Sequence, residues 1–294
     1  MKGIMKAVIL GALVFIIAGC SELKRSNPTD PAAGNYVGLH YVGELGQFVN
    51  LTDMEIAQSS GQAYIFGTDD AQKITVKYDL NGTYIKYWET QDLPKGICAD
   101  SASNIYIVDV ANYIEIYTAD GVTLGQFHFA TGTGGGKIAC DADYLYATTA
   151  SPPKIYKYVL NTVATPNPTP VASWGVEGIC AGCYSVISAV ETDMAGNLII
   201  ADSGLNRITI TDSAGNFIKK IELVDALQGL SVSGGSIYVP GINGIKQYDY
   251  NGTLLKTYAD YGEGKGKVTA VAPMVIYDKQ IFIGDVVSIK VFKP

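Results

Sequence analysis

The chain has 294 residues, 48% of them hydrophobic and 10% aromatic, with 33 glycines and a net charge of −7. That acidic balance argues against nucleic acid as a partner, which needs a basic footprint, and against a face lying on anionic lipid head groups. A chain of this size and apolar content has ample material for one globular body.

The first element in chain order is MKGIMKAVILGALVFIIAGC, in which Lys2 and Lys6 precede an apolar run over residues 7–18. A membrane-spanning helix needs about 20 apolar residues, so this shorter run predicts a secretory signal. Its end, Ile17-Ala18-Gly19-Cys20, resembles a bacterial lipobox. The resemblance implies cleavage before Cys20 and acylation of Cys20, which anchors the chain to a membrane through two or more acyl chains. An ordinary cleaved signal with a chance cysteine is the alternative. Removing residues 1–19 takes away Lys2 and Lys6 and no acidic residue, so the net charge moves from −7 to −9. Localisation follows as an exported, membrane-anchored lipoprotein of the outer membrane and periplasm or of the cell surface. Residues 20–35, the Cys20 head followed by SELKRSNPTDPAAGN, lack an apolar period and predict a flexible tether.

From residue 36 to residue 294 the pattern is short runs of period-2 alternation separated by Asx-Gly and Gly-rich turns. The clearest unit is GICADSASNIYIVDVANYIEIYTADGVTLGQF (96–127), and its plan returns in VETDMAGNLIIADSGLNRITITDSAGNFIKKI. The fourth strands end in Phe48, Trp88, Phe127, Trp174, Ile221 and Tyr258, separated by 40, 39, 47, 47 and 37 residues. Four strands repeating near 40 residues predict propeller blades. The segment ADSGLNRITITDSAGNFI resembles the NHL repeat, and the likeness extends more weakly over residues 51–292. VDVANYIEI departs from it by lacking the Arg and by being one residue shorter. The predicted fold is all-β, a six-bladed β-propeller of four-stranded blades. The last blade has only three strands of its own, and residues 41–48, from Tyr41 to Phe48, are expected to supply its outer strand and close the ring.

Strand order within a blade separates two faces. Short turns fall on one, and long connections such as 128–136, 175–185, 222–228 and 259–267 on the other, which makes the long-loop face the expected binding face. The Pro-rich loop over residues 160–171 is an exception on the short-turn face. The borrowed strand starts on the short-turn side, so the anchor is expected to hold that side toward the membrane.

Candidate chemistry is sparse. Cys180-Ala-Gly-Cys183 is the close cysteine pair, and a local disulfide is the first reading in an oxidising compartment. A thioredoxin-type redox pair would need a βαβ context that is absent, and zinc would need further ligands. Cys98 and Cys140 lie on inner strands of neighbouring blades and read as small core residues rather than a bridge. There are two histidines, His40 and His128, whereas the resemblance to propeller lyases and lactonases implies metal sites built from several His, Glu or Asp residues around the channel. Asp100, Asp141, Asp193 and Glu191 lie on or at the ends of inner strands, where they could line a channel holding Ca²⁺ or cap turns. GTGGGK over residues 132–137 lacks the spacing and the following helix of a phosphate loop and reads as flexible. Asp202 and Arg207 are candidate ligand contacts or braces of a blade loop, and Tyr184 and Tyr261, in long loops, are candidates for stacking on a glycan or peptide.

The expected function is non-catalytic: a cell-envelope binding or scaffold module that holds an unidentified protein or glycan through its long-loop face, without cofactor. The alternative is a propeller lyase or hydrolase with a metal held by channel carboxylates.

Overall fold

The computed structural model describes residues 36–38, 40–45, 48–131, 133–160, 168–223, 227, 229–241, 244–259, 273–285 and 288–293. It is an all-β ring of six four-stranded antiparallel blades. Two strands precede the first blade, β1 (Tyr36–Gly38) and β2 (His40–Leu45). Blade one contains β3 (Leu51–Ser59), β4 (Gln62–Asp69), β5 (Ile74–Asp79) and β6 (Tyr84–Glu89). Blade two contains β7 (Pro94–Ala99), β8 (Asn104–Asp109), β9 (Tyr113–Thr118) and β10 (Thr123–His128). Blade three contains β11 (Thr133–Cys140), β12 (Tyr144–Ser151), β13 (Lys154–Val159) and β14 (Ala172–Trp174). A short parallel pair, β15 (Val176–Glu177) and β16 (Cys183–Tyr184), follows. Blade four contains β17 (Ile187–Thr192), β18 (Leu198–Asp202), β19 (Arg207–Thr211) and β20 (Phe217–Glu222). Blade five contains β21 (Ser231–Ser233), β22 (Ser236–Gly241), β23 (Gly244–Tyr248) and β24 (Leu254–Ala259). Blade six contains β25 (Met274–Tyr277), β26 (Gln280–Asp285) and β27 (Ser288–Lys293).

The borrowed strand is present. β2 pairs antiparallel with β27, Tyr41 opposite Phe292 and Leu45 opposite Ile289, and completes blade six. The expected tether, residues 20–35, lies outside the described residues. Residues 36–38 form a fifth strand, parallel, on the outer edge of blade five, with Tyr36 opposite Thr257. The chain therefore meets the body along the rim of blade five, because an outer strand offers an unpaired row of backbone groups to any segment close to it.

Second strands explain the continuous apolar runs of the sequence. In β8, Ile105 and Ile107 pack toward blade one with Phe66 and Trp88, while Tyr106 and Val108 pack toward blade three with Leu145 and Tyr158. Both faces are buried, so alternation of polar and apolar residues disappears there. Six such inter-blade clusters run round the ring, and the one joining blade six to blade one contains Phe48, Leu51, Tyr78, Phe282 and Val291.

The repeated large residue at the end of each outer strand has a defined seat on the following blade. A Cβ at Gly121 would lie 2.7 Å from Trp88, and one at Gly215 would lie 2.4 Å from Trp174. Both glycines have positive φ, +73° and +87°, so their turns exclude a side chain on two counts. The side chain that opens such a turn accepts two backbone N–H groups: Thr118 from Asp120 and Val122 in the Gly121 turn, and an aspartate in others, Asp212 from Ala214 and Asn216, Asp249 from Asn251 and Thr253. The sequence Asp-x-x-Gly thus encodes the hairpin and the docking place of the previous blade together.

The glycine run expected to be flexible is largely strand: Thr133 begins β11, and Gly132 lies outside the described residues. A Cβ at Gly135 would fall 1.9 Å from the carbonyl oxygen of Asp109. The glycines are there because the inner strand of blade three presses on the backbone of blade two.

Candidate functional site

Inner strands of blades one to four each carry a register shift near their start, at residues 51–53, 94–96, 135–138 and 187–189. Bulges re-aim side chains, and here they direct polar groups toward the axis. A cavity of about 60 Å³ lies there, lined from all six blades, among them Asp53, Glu55, Ile97, Lys137, Glu191 and Met274. Its volume suits a few water molecules.

Lys137 reaches across the axis from blade three, donating from Nζ to the carbonyl of Thr52 at 3.1 Å and pairing with Asp53 Oδ2 at 3.4 Å. Asp53 also accepts the N–H of Met54 at 3.0 Å, and Glu55 accepts that of Ile56 at 2.8 Å. Enclosure of these carboxyls in protein opposes ionisation. Burial raises Asp53 against the lowering effect of Lys137. Burial, with the charge of Asp53 added, pushes Glu55 up to about 8. Glu191 is raised well above the usual carboxylate range, by burial first and then by the charges of Glu55 and Asp53. At neutral pH Glu55 therefore holds a proton in the cavity that also contains the Asp53–Lys137 pair.

The sequence anticipated Glu191 in the channel and missed Asp53, Glu55 and Lys137. The alternation of Asp53 and Glu55 in LTDMEIAQS, two apart on one strand face, was the available signal. Lys137 had none, since its approach depends on ring closure. Asp100, Asp141 and Asp193 lie at turns instead: Asp100 accepts from Ala102 and Asn104, Asp141 from Asp143 and Tyr144, and Asp193 from Ala195 and Asn197. Among the described residues no three His, Cys, Asp or Glu side chains gather as a metal-ligand group. His40 pairs in β2 opposite Lys293, and His128 packs edge-on against Tyr113 at 5.1 Å.

A second region stands on the long-loop face, where residues 175–186 connect blade three to blade four. Cys180 and Cys183 are disulfide-bonded, with Cα atoms 5.0 Å apart. Arg207 lies beneath, donating to the carbonyls of Ile179, Cys180 and Cys183 at 3.2, 3.0 and 2.5 Å. Asp202 closes the same loop by accepting from Ser185 and Val186, each at 3.0 Å. Asp202 and Arg207 are both buried, and the partners shown are those of this loop and of the turn at Leu205. Tyr184 is fully buried with Tyr146, Leu198 and Trp174, rather than offering its ring to solvent, because β16 tucks it under the loop. The exposed side chains of the loop include the apolar Val176, Val186 and, at 82% exposure, Ile179, together with the charged Glu177. Tyr261 and Cys20 lie outside the described residues.

Cys98 and Cys140, expected to be separate core residues, are also bonded, with Cα atoms 5.7 Å apart. Inner strands of neighbouring blades converge toward the axis, and that convergence brings them within disulfide reach. No protein-family model matches the chain, and no curated protein matches it.

Proposed function

We propose that the chain is a lipid-anchored cell-envelope propeller of the NHL type, held through Cys20, which binds a protein or an extracellular polymer without catalysis. The observation that carries this reading is the apolar tip of residues 175–186. Val176, Ile179 and Val186 are presented to solvent on a loop clamped by a disulfide, by Arg207 and by Asp202. Exposed apolar side chains on a pre-ordered loop lose little entropy on binding. The N-terminal lipobox-like segment and the acidic balance support an exported position away from nucleic acid.

The test is photo-crosslinking in intact cells with the reactive residue at Ile179, followed by mass spectrometry. Asn81, exposed in a turn of the opposite face, is the reference position. A defined partner recovered from Ile179 and absent from Asn81 supports the reading; equal recovery from both positions counts against a long-loop binding face. Loss of palmitate labelling in Cys20→Ser tests the anchor separately.

A second reading is favoured by one observation, the proton-holding pair Glu55 and Glu191 in the channel. It is a lyase or hydrolase acting at the axis with a metal held by channel carboxylates. Stoichiometric divalent metal in protein purified without chelator, lost in Glu191→Gln, would support it.

A further inference from the structure

We propose that Cys180–Cys183 is a thiol-exchange site, reduced by a protein dithiol that attacks Cys180, with Arg207 stabilising the thiolate that Cys183 becomes. The two sulfurs sit in unequal surroundings. Cys180 is exposed, whereas Cys183 is 5% exposed, so an incoming thiolate reaches the first and not the second. The Arg207 guanidinium rests on the carbonyl oxygens of both cysteines. It is 4% exposed, its Nε has no hydrogen-bond partner, and no carboxylate lies in ion-pair range of it among the described residues. Asp202, its cross-strand neighbour, is committed to the N–H groups of Ser185, Val186 and Leu205.

A buried cation whose hydrogen-bond partners are neutral carbonyls, with the buried Asp202 opposite it but outside ion-pair range, is under-compensated, and a thiolate formed on the loop it holds adds negative charge. Helix N-termini activate thiols in α/β oxidoreductases; in this all-β chain a buried arginine takes that place. In the exchange, the partner thiolate attacks Cys180 Sγ and the Cys180–Cys183 bond breaks. Cys183 leaves as a thiolate while Cys180 and the partner form a mixed disulfide. The second partner thiol, deprotonated, then attacks its own half of that bond and expels Cys180, which takes up a proton. The partner departs as a disulfide, and two electrons have passed to this chain. None of these steps depends on the binding reading above.

The second disulfide is an internal standard: Cys98 is 2% exposed, Cys140 is half-buried where it lines the narrow axial cavity, and their bridge joins two inner strands. The experiment equilibrates the full chain in graded glutathione buffers at pH 7, traps thiols with N-ethylmaleimide and maps them by mass spectrometry. Cys180 and Cys183 are expected to be labelled in buffers that leave Cys98 and Cys140 bonded, with glutathione adding first to Cys180. Reduction of both bridges at the same ratio, or glutathione found on Cys183, overturns the proposal. The arginine is tested by thiolate absorbance at 240 nm against pH in Cys180→Ser, with the Cys180→Ser/Cys183→Ser spectrum subtracted to remove Cys20. An ordinary thiol titrates near 8.5, and burial alone would move it higher. A Cys183 midpoint at least about one unit below that value is expected, rising in Arg207→Gln. A midpoint at or above 8.5 in Cys180→Ser refutes the role of Arg207 without needing the arginine variant to fold.

Discussion

Replacing Gly215 by alanine separates two costs that a turn glycine usually conceals. Gly215 and Gly196 adopt similar left-handed conformations, φ +87° and +78°, each in a hairpin on the short-turn face. An alanine at either site costs about 1–2 kcal/mol in backbone strain. Their surroundings differ: a Cβ at Gly196 meets nothing within 4 Å, whereas one at Gly215 would lie 2.4 Å from Trp174 Cδ2 and 2.7 Å from Cγ. Displacing the indole should add about 1–3 kcal/mol of overpacking. The expectation is a loss of about 1–2 kcal/mol for Gly196→Ala and about 2–5 kcal/mol for Gly215→Ala. Urea unfolding followed by far-UV circular dichroism measures both, and the extra loss at Gly215 should vanish in a Trp174→Ala background. Equal losses at the two glycines would refute the idea that the outer-strand aromatic of one blade docks under the turn of the next.

The raised pKa of Glu55 predicts a pH slope. The folded chain keeps a proton on Glu55 that the unfolded chain gives up near 4.5, so the contribution of this group to stability is full at low pH and is lost as pH climbs from about 4.5 to about 8. The decline is at most about 1.4 kcal/mol per pH unit, and Glu55→Gln should remove it, which unfolding at pH 5, 6.5 and 8 would show; parallel profiles sink the assignment. Replacing both Cys98 and Cys140 by alanine should lower stability by roughly 4 kcal/mol, against roughly 2 for Cys180 and Cys183, because the first bridge spans 42 residues and the second 3. Equal midpoints for the two double variants in urea would contradict this. A chain starting at residue 36 should match the full chain in thermal unfolding, whereas one starting at residue 50 should lose more than about 3–5 kcal/mol, since it lacks β2 and the buried Phe48. An unchanged transition in the shorter chain would mean that β2 does not close the ring.

What the sequence determined by itself is what short-range chemistry encodes. Asp212 through Gly215 specify a hairpin wherever they occur, and NIYIVD can be stable only between two apolar neighbours. The spacing from Phe48 to Tyr258 counts blades, and the missing fourth strand of the last blade is visible because strands come in fours. The tertiary structure decided everything that depends on which blades meet at the axis. Asp53 and Glu55 belong to blade one, Lys137 to blade three and Glu191 to blade four, and only the closed ring with its bulged inner strands sets them round one cavity. Cys98 and Cys140 look like core residues until neighbouring inner strands converge. The glycines before Lys137 look mobile until the carbonyl of Asp109 is found against them. Tyr184 looks exposed until β16 sets it in the core between blades three and four with Tyr146 and Leu198. In each case local sequence sets the backbone of a segment, while burial and charge are set by segments that ring closure brings from other blades.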